Sequence, residues 1–224
     1  MAGRQANRTR KARVPVTHPT LHGGLYAITN GPRQDLAAAV ASALAGGARM
    51  VQYRDKTSDA SRRLHGARAL AALCASHDVP LIINDDIALA KAVGAAGVHL
   101  GEDDAELAAA RDTLGPTAII GVSCYDSINR ARQLAAAGAD YLAFGAFFAS
   151  PTKPNARHAS PGLLRQAEQF NLPLVAIGGI NADNGGTLIA AGADYLAVIS
   201  ALFDAPDIQA AAQRLTHLFS SDPT

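Results

Sequence analysis

The sequence predicts an α/β chain folded as a single (β/α)8 TIM barrel. Three observations carry this. Short apolar runs of strand length alternate with Ala-rich stretches of helical length, eight times in order from Gly24 onward. Such runs are the mark of parallel strands buried on both faces. The connections are short, every strand is followed by a crossover helix, and eight such units close on themselves. A motif also recurs, Ala136-Ala137-Gly138-Ala139-Asp140-Tyr141-Leu142-Ala143 returning as Ala190-Ala191-Gly192-Ala193-Asp194-Tyr195-Leu196-Ala197. Looser forms stand at Ala45-Gly46-Gly47-Ala48 and Val93-Gly94-Ala95-Ala96-Gly97. All four precede even-numbered strands, and each reads as a helix closed by a left-handed Gly cap and a turn into the next strand.

The first strand is residues 25–29, followed by a helix over 35–45. The second strand covers 49–54 and its helix 58–77. The third strand is 80–84, with a helix to about 93. The fourth is 97–100, with a helix over 105–114. The fifth is 118–123, with a helix over 127–137. The sixth is 140–145, with a helix over 161–170. The seventh is 173–177, with a helix over 182–191. The eighth is 194–199, and a helix over 206–219 closes the unit. Residues 1–22 lack apolar periodicity and read as a flexible basic tail, with the barrel as the one catalytic domain over 23–224.

Composition narrows the function. With 224 residues, of which 49% are hydrophobic, the chain can bury one large core. No apolar run reaches the roughly 18 residues that span a membrane. Cys74 and Cys124 give neither a disulfide framework nor metal spacing, so a cytoplasmic setting is expected. Arg4, Arg8, Arg10, Lys11 and Arg13 precede the first acid, Asp35. Setting those five aside leaves 15 basic against 19 acidic residues, a net of −4. A mildly acidic body is no general nucleic-acid binder, and the expected partners are small molecules, with a homo-oligomer left open.

A barrel of this kind carries its chemistry at the C-terminal ends of its strands. The third strand runs into Asn84-Asp85-Asp86, and the fourth into Glu102-Asp103-Asp104. Carboxylates after adjacent strands suit a shared Mg²⁺, which takes hard oxygen ligands and phosphate oxygens. The competing reading is that these acids cap the helices that follow. The second strand ends Gln52-Tyr53-Arg54-Asp55-Lys56, and alternation puts Gln52, Arg54 and Lys56 on one side. Arg and Lys facing the mouth are anion ligands, unless they lie on a solvated loop. After the sixth strand, Ser150-Pro151-Thr152-Lys153-Pro154 concentrates hydroxyls and a lysine that suit phosphate, or else forms a plain surface lid. After the seventh and eighth strands, Gly178-Gly179-Ile180 and Ile199-Ser200 stand where many barrels hold a phosphate. His99 and Cys124 have no partner at catalytic spacing and read as core or rim packing.

Taken together, the strand ends resemble the thiamine-phosphate synthase family, also called thiamine-phosphate pyrophosphorylase, over about residues 24–219. The resemblance rests on Leu25-Tyr26-Ala27-Ile28-Thr29, Gln52-Tyr53-Arg54-Asp55-Lys56, Ile83-Asn84-Asp85, Gly97-Val98-His99-Leu100-Gly101-Glu102-Asp103-Asp104, Gly121-Val122-Ser123, Ser150-Pro151-Thr152-Lys153-Pro154, Ala176-Ile177-Gly178-Gly179-Ile180 and Ala197-Val198-Ile199-Ser200. It implies an enzyme that joins 4-amino-2-methyl-5-(diphosphooxymethyl)pyrimidine to 4-methyl-5-(2-phosphooxyethyl)thiazole, giving thiamine phosphate and pyrophosphate. It further implies that Asp85 and Asp104 hold Mg²⁺. Gln52, Arg54, Lys56, Asn84, Ser123 and Lys153 would bind the pyrimidine diphosphate, with Arg54, Lys56, Ser123 and Lys153 the catalytic members. Ser150, Thr152, Gly179, Ile199 and Ser200 would bind the thiazole phosphate. Three positions depart from the family's usual residues: Asp55 for Glu, Glu102 for Gln and Ser150 for Thr. None removes a ligand type.

This chemistry needs no nucleophile and no obligatory side-chain base. A diphosphate on a benzylic-type carbon leaves if its charge is neutralised, and an aminopyrimidine stabilises the cation left behind. The rivals are a thiazole tautomerase-like relative, a non-catalytic regulatory paralogue, and a phosphate-sugar isomerase or aldolase on the same fold. The full set of anion and metal ligands argues against the first two.

Overall fold

The computed structural model describes residues 21–101, 105–149 and 158–220. Its eight strands form one closed parallel barrel, each paired with the next in the chain and the last with the first. They are β1 (Gly24–Ile28), β2 (Met50–Tyr53), β3 (Leu81–Asn84), β4 (Gly97–Leu100), β5 (Ile119–Tyr125), β6 (Tyr141–Phe144), β7 (Leu174–Ile177) and β8 (Tyr195–Val198). The outer ring is α1 (Leu36–Ala45), α2 (Ala60–Ala75), α3 (Ile87–Val93), α4 (Ala105–Leu114), α5 (Ile128–Ala136), α6 (Pro161–Ala167), α7 (Gly185–Ala190), α8 (Ser200–Phe203) and α9 (Ile208–His217). Among the described residues no helix is long and apolar enough to cross a membrane.

Alternation along the strands splits the core in two. Leu25, Ala27, Val51, Ile83, Val98, Ile120, Leu142 and Leu196 face outward and pack with the helices. Tyr26, Ile28, Met50, Ile82, Ile119, Tyr141, Val175 and Tyr195 fill the lumen. The lumen is crowded by three tyrosines, and it accommodates them by pairing large with small. A Cβ on Gly121 would lie 1.8 Å from the Tyr141 ring, so only glycine fits at that point of β5. Leu21 joins the lumen cluster. The packed body therefore takes in a residue that sequence reading placed in the tail; residues 1–20 lie outside the described part.

The repeated motif does more than end helices. Its glycines take positive φ, at Gly47, Gly94, Gly138 and Gly192. The aspartates following two of them close the barrel floor. Asp140 Oδ2 accepts from the Ile120 N–H at 2.7 Å, and Asp194 Oδ2 accepts from the Leu174 N–H at 2.8 Å. Each so satisfies a buried donor where a neighbouring strand begins. The tyrosine that follows each aspartate then enters the lumen.

The elements depart from expectation in four places. β5 runs on to Tyr125, with a register shift against β6 between Ser123 and Tyr125. The helix expected over 161–170 ends at Ala167 and tightens into a 3₁₀ turn, Glu168–Phe170. The helix expected from 182 starts only at Gly185, because Asn181 Oδ1 accepts from the Asp183 and Asn184 N–H groups and holds 181–184 as a turn. After β8 the chain enters a short helix at Ser200, where an extended strand end was expected.

Candidate active site at the barrel mouth

Gln52 is 2% exposed and lies at the mouth end of β2, beside Ile28 of β1. The backbone that follows it is gripped by Thr29, whose Oγ1 accepts from the Arg54 N–H at 2.8 Å and donates to the Arg54 carbonyl. Asp55 turns outward, toward α2. Its carboxylate accepts from the Thr57 N–H at 2.9 Å and hydroxyl at 2.6 Å, and pairs with Arg62 at 3.4 Å. Burial works against a charge on Asp55, but these donors outweigh it and hold the carboxyl below its usual range. Tyr53 beside it is pushed up to about 12, first by burial and then by the Asp55 charge. Arg54, half-buried, and Lys56, exposed, flank Asp55 in the segment that follows β2.

Inside the mouth a hydrogen-bonded chain crosses the lumen. Gln52 Nε2 donates to Tyr26 Oη at 2.7 Å. Tyr26 Oη meets Tyr141 Oη at 2.9 Å, and Tyr141 Oη meets His99 Nδ1 at 2.9 Å. His99 Nε2 meets Ser123 Oγ at 3.0 Å. The His99 ring stacks on Tyr141 at 5.6 Å between centroids. Burial drives the His99 pKa down to about 4, against the opposing pull of the Asp85 charge, so the imidazole is neutral at neutral pH. Both phenols are pushed well above their ordinary range, chiefly by burial. Sequence reading selected Gln52 and Ser123 but not the three residues between them. The available signal was inward alternation at Tyr26, His99 and Tyr141.

The two acids after β3 separate in role. Asp86 caps α3 by accepting from the Leu89 N–H at 2.8 Å, and it also holds Arg63 at 2.6 Å. Asp85 caps nothing. It is exposed, its φ is +60°, and its carboxylate accepts from Asn84 Nδ2 at 2.6 Å. A non-glycine residue in that left-handed conformation is a strain that functional sites tolerate. Its N–H donates to the His99 carbonyl at 2.9 Å, which locks the end of β3 to β4. Asp85 Oδ1 would stand 3.6 Å from a Cβ on Gly101, so the carboxylate lies against the start of the acidic loop after β4. Asp104 lies outside the described residues, and among those described no group of three or more His, Cys, Asp or Glu is placed to hold a metal ion. Asp85 is thus an exposed hard-oxygen donor of the kind Mg²⁺ takes.

Arg130, on α5, was not selected from sequence. Its Nε donates to the Ser123 carbonyl at 2.8 Å and its Nη2 to the Gly101 carbonyl at 2.9 Å. One guanidinium thus ties the mouth ends of β4 and β5 together.

Gly179, Ile199 and Ser200 stand at the ends of the adjacent strands β7 and β8, all partly buried. Gly179 has φ +63°, and a Cβ there would meet the Ala149 carbonyl oxygen at 2.5 Å and that of Phe148 at 2.7 Å. The glycine is thus required for packing whatever else it binds. The chain after β6 runs beside β7 as far as Phe148, whose N–H donates to the Gly178 carbonyl at 3.0 Å. The loop expected to supply Ser150, Thr152 and Lys153 leaves from this point; those three residues lie outside the described part.

A closed parallel barrel with amide, hydroxyl, imidazole, carboxylate and cationic side chains gathered at one mouth is the architecture of a barrel enzyme acting on small molecules. The chain belongs to the thiamine monophosphate synthase family, whose model matches residues 25–202. The thiamine-phosphate synthase of Thiobacillus denitrificans is 54% identical over 207 residues, covering 91% of this chain and 98% of that one. That of Halorhodospira halophila is 54% identical over 198 residues, covering 88% and 94%. Among solved structures, the thiamine phosphate pyrophosphorylase from Pyrococcus furiosus superposes with a TM-score of 0.81 at 33% identity, covering 90% of this chain and 97% of that one. A 3-hexulose-6-phosphate synthase at 20% identity and a TM-score of 0.67 shares the fold.

Proposed function

We infer that this chain is a transferase of thiamine biosynthesis. It condenses the aminopyrimidine diphosphate with the thiazole phosphate and releases pyrophosphate. The observation that carries the reading is identity above one half to thiamine-phosphate synthases across nearly the whole barrel. The same observation sets aside the tautomerase, the regulatory paralogue and the sugar-phosphate enzymes.

In the reaction the bond between the pyrimidine methylene and the bridging oxygen breaks, and pyrophosphate takes the electron pair. The thiazole nitrogen then supplies the pair for the new C–N bond. No proton has to move before cleavage, so the protein's work is to position, to neutralise and to exclude water. Gln52, Asn84 and Ser123 orient the pyrimidine at the lumen end of the site. Arg54, Lys56 and Lys153 neutralise the departing diphosphate. Asp85 and Asp104 hold Mg²⁺, which when bound supplies further positive charge to the diphosphate oxygens. Ser150, Thr152, Gly179, Ile199 and Ser200 hold the thiazole phosphate. What supports these roles is the placement of the described members at one mouth and the separation of Asp85 from the helix-capping Asp86. Cys74 and Cys124 are both buried and carry thiols rather than a disulfide, in line with the proposed cytoplasmic setting.

The test is to mix both substrates with Mg²⁺ and purified protein and to measure pyrophosphate. Release only when both substrates are present is expected. Turnover of the thiazole alone would point to the tautomerase instead.

A further inference from the structure

The chain Gln52–Tyr26–Tyr141–His99–Ser123 links two residues assigned to the pyrimidine through three that are not. Its links are 2.7, 2.9, 2.9 and 3.0 Å long. All are short enough to be full hydrogen bonds. Each middle member has its oxygens or nitrogens committed to two neighbours, and this fixes a direction. The Gln52 amide nitrogen can only donate, so the Tyr26 oxygen accepts and its proton passes on to Tyr141. The Tyr141 proton then goes to His99 Nδ1. A neutral imidazole that accepts at Nδ1 carries its hydrogen on Nε2 and donates to Ser123 Oγ. The Ser123 hydroxyl, accepting from His99, keeps its own hydrogen to donate outside the chain.

We propose that Tyr26 and Tyr141 are positioning residues. By setting the direction of this chain, they make Ser123 present an O–H donor to the ligand while Gln52 keeps its carbonyl oxygen for a ligand N–H. A ligand matched to both ends carries a hydrogen-bond acceptor and an amino donor on one flat ring, as an aminopyrimidine does. The proposal rests on the assignment of Gln52 and Ser123 to the pyrimidine. Tyr195 supplies an internal control. It is the counterpart of Tyr141 in the repeated motif, sits in the same lumen cluster, and packs edge-on to Tyr26 at 6.3 Å between centroids. It forms no link of the chain. A purely packing role for the tyrosines would make the three alike.

The experiment compares Tyr26→Phe, Tyr141→Phe and Tyr195→Phe in the full-length protein, with Ser123→Ala and Gln52→Ala as references. Steady-state kinetics are measured separately in each substrate. The proposal expects Tyr26→Phe and Tyr141→Phe each to raise KM for the pyrimidine diphosphate about tenfold or more, because cutting the chain leaves buried groups unpaired. KM for the thiazole phosphate should stay within about twofold, and Tyr195→Phe should leave both unchanged. Tyr141→Phe combined with Ser123→Ala should be less than multiplicative. A second readout does not depend on turnover: ¹⁵N NMR of the imidazole should show the hydrogen on Nε2 of His99 in the native protein and a loss of that single tautomer in Tyr141→Phe. Since Tyr26→Phe cuts the same chain one link earlier, failure of either variant to fold leaves the other as the test. If Ser123→Ala and Gln52→Ala raise the pyrimidine KM while both Phe variants lower only the melting temperature, the tyrosines are packing residues and the proposal falls alone. If the two reference variants also leave that KM unchanged, the assignment of the pyrimidine site falls with it.

Discussion

Asp85 and Asp86 are adjacent in sequence and differently placed, and only geometry tells them apart. Of the two readings of the acidic run, the helix cap falls to Asp86, while Asp85 stays open in a left-handed conformation and is the residue proposed to hold Mg²⁺. Asp85→Asn preserves size and the bond to Asn84 but removes the charge. Turnover should fall about 10²-fold or more, the scale of losing one preorganised electrostatic group, and the Mg²⁺ concentration needed for half-maximal rate should rise. Wild-type rate and Mg²⁺ dependence in this variant would make Asp85 a loop residue. His99 gives a second prediction at this scale. Its folded pKa of about 4 lies below the ordinary 6.5, so the unfolded chain binds the proton more readily. The stability is fully present above pH 6.5 and is lost as pH falls from there toward about 4. Thermal melts should drop over this window in the native protein and drop less in His99→Gln. Parallel curves would mean that another group sets the acid limit.

At the scale of elements, the strands were legible and their ends partly so. Periodicity and the repeated Gly motif are local signals, and every strand appears within a residue or two of its expected place. What the pattern could not carry is set by contacts between segments far apart. The lumen chain joins β1, β2, β4, β5 and β6, and no spacing in the sequence announces that Tyr26 will meet Tyr141. Arg130 looks like any polar residue on a helix until the carbonyls of Gly101 and Ser123 converge on it. The short α8 was hidden because Ile199-Ser200 continues an apolar strand run. It begins at Ser200, after β8, the strand paired with β7, and the loops after these two strands are where many barrels hold a phosphate. The thiazole phosphate should therefore bind far more tightly than the unphosphorylated thiazole alcohol. Calorimetry giving equal affinities would remove the phosphate from the ends of β7 and β8.

At the scale of the whole molecule, the barrel divides labour between its layers. Apolar outward faces and helices make the scaffold rigid, and a lumen of interlocked tyrosines supports the mouth from below. The mouth then needs only charge and hydrogen-bonding groups, because the reaction asks for departure of a stabilised leaving group rather than for a base or a nucleophile. The most direct test of that account follows the bridging oxygen. The pyrimidine diphosphate is labelled with ¹⁸O between methylene and phosphorus and turned over with the thiazole phosphate and Mg²⁺. The account predicts one thiamine phosphate per pyrophosphate, with all of the label in pyrophosphate. Label recovered in a hydroxymethyl pyrimidine, or product formed without pyrophosphate, would contradict it.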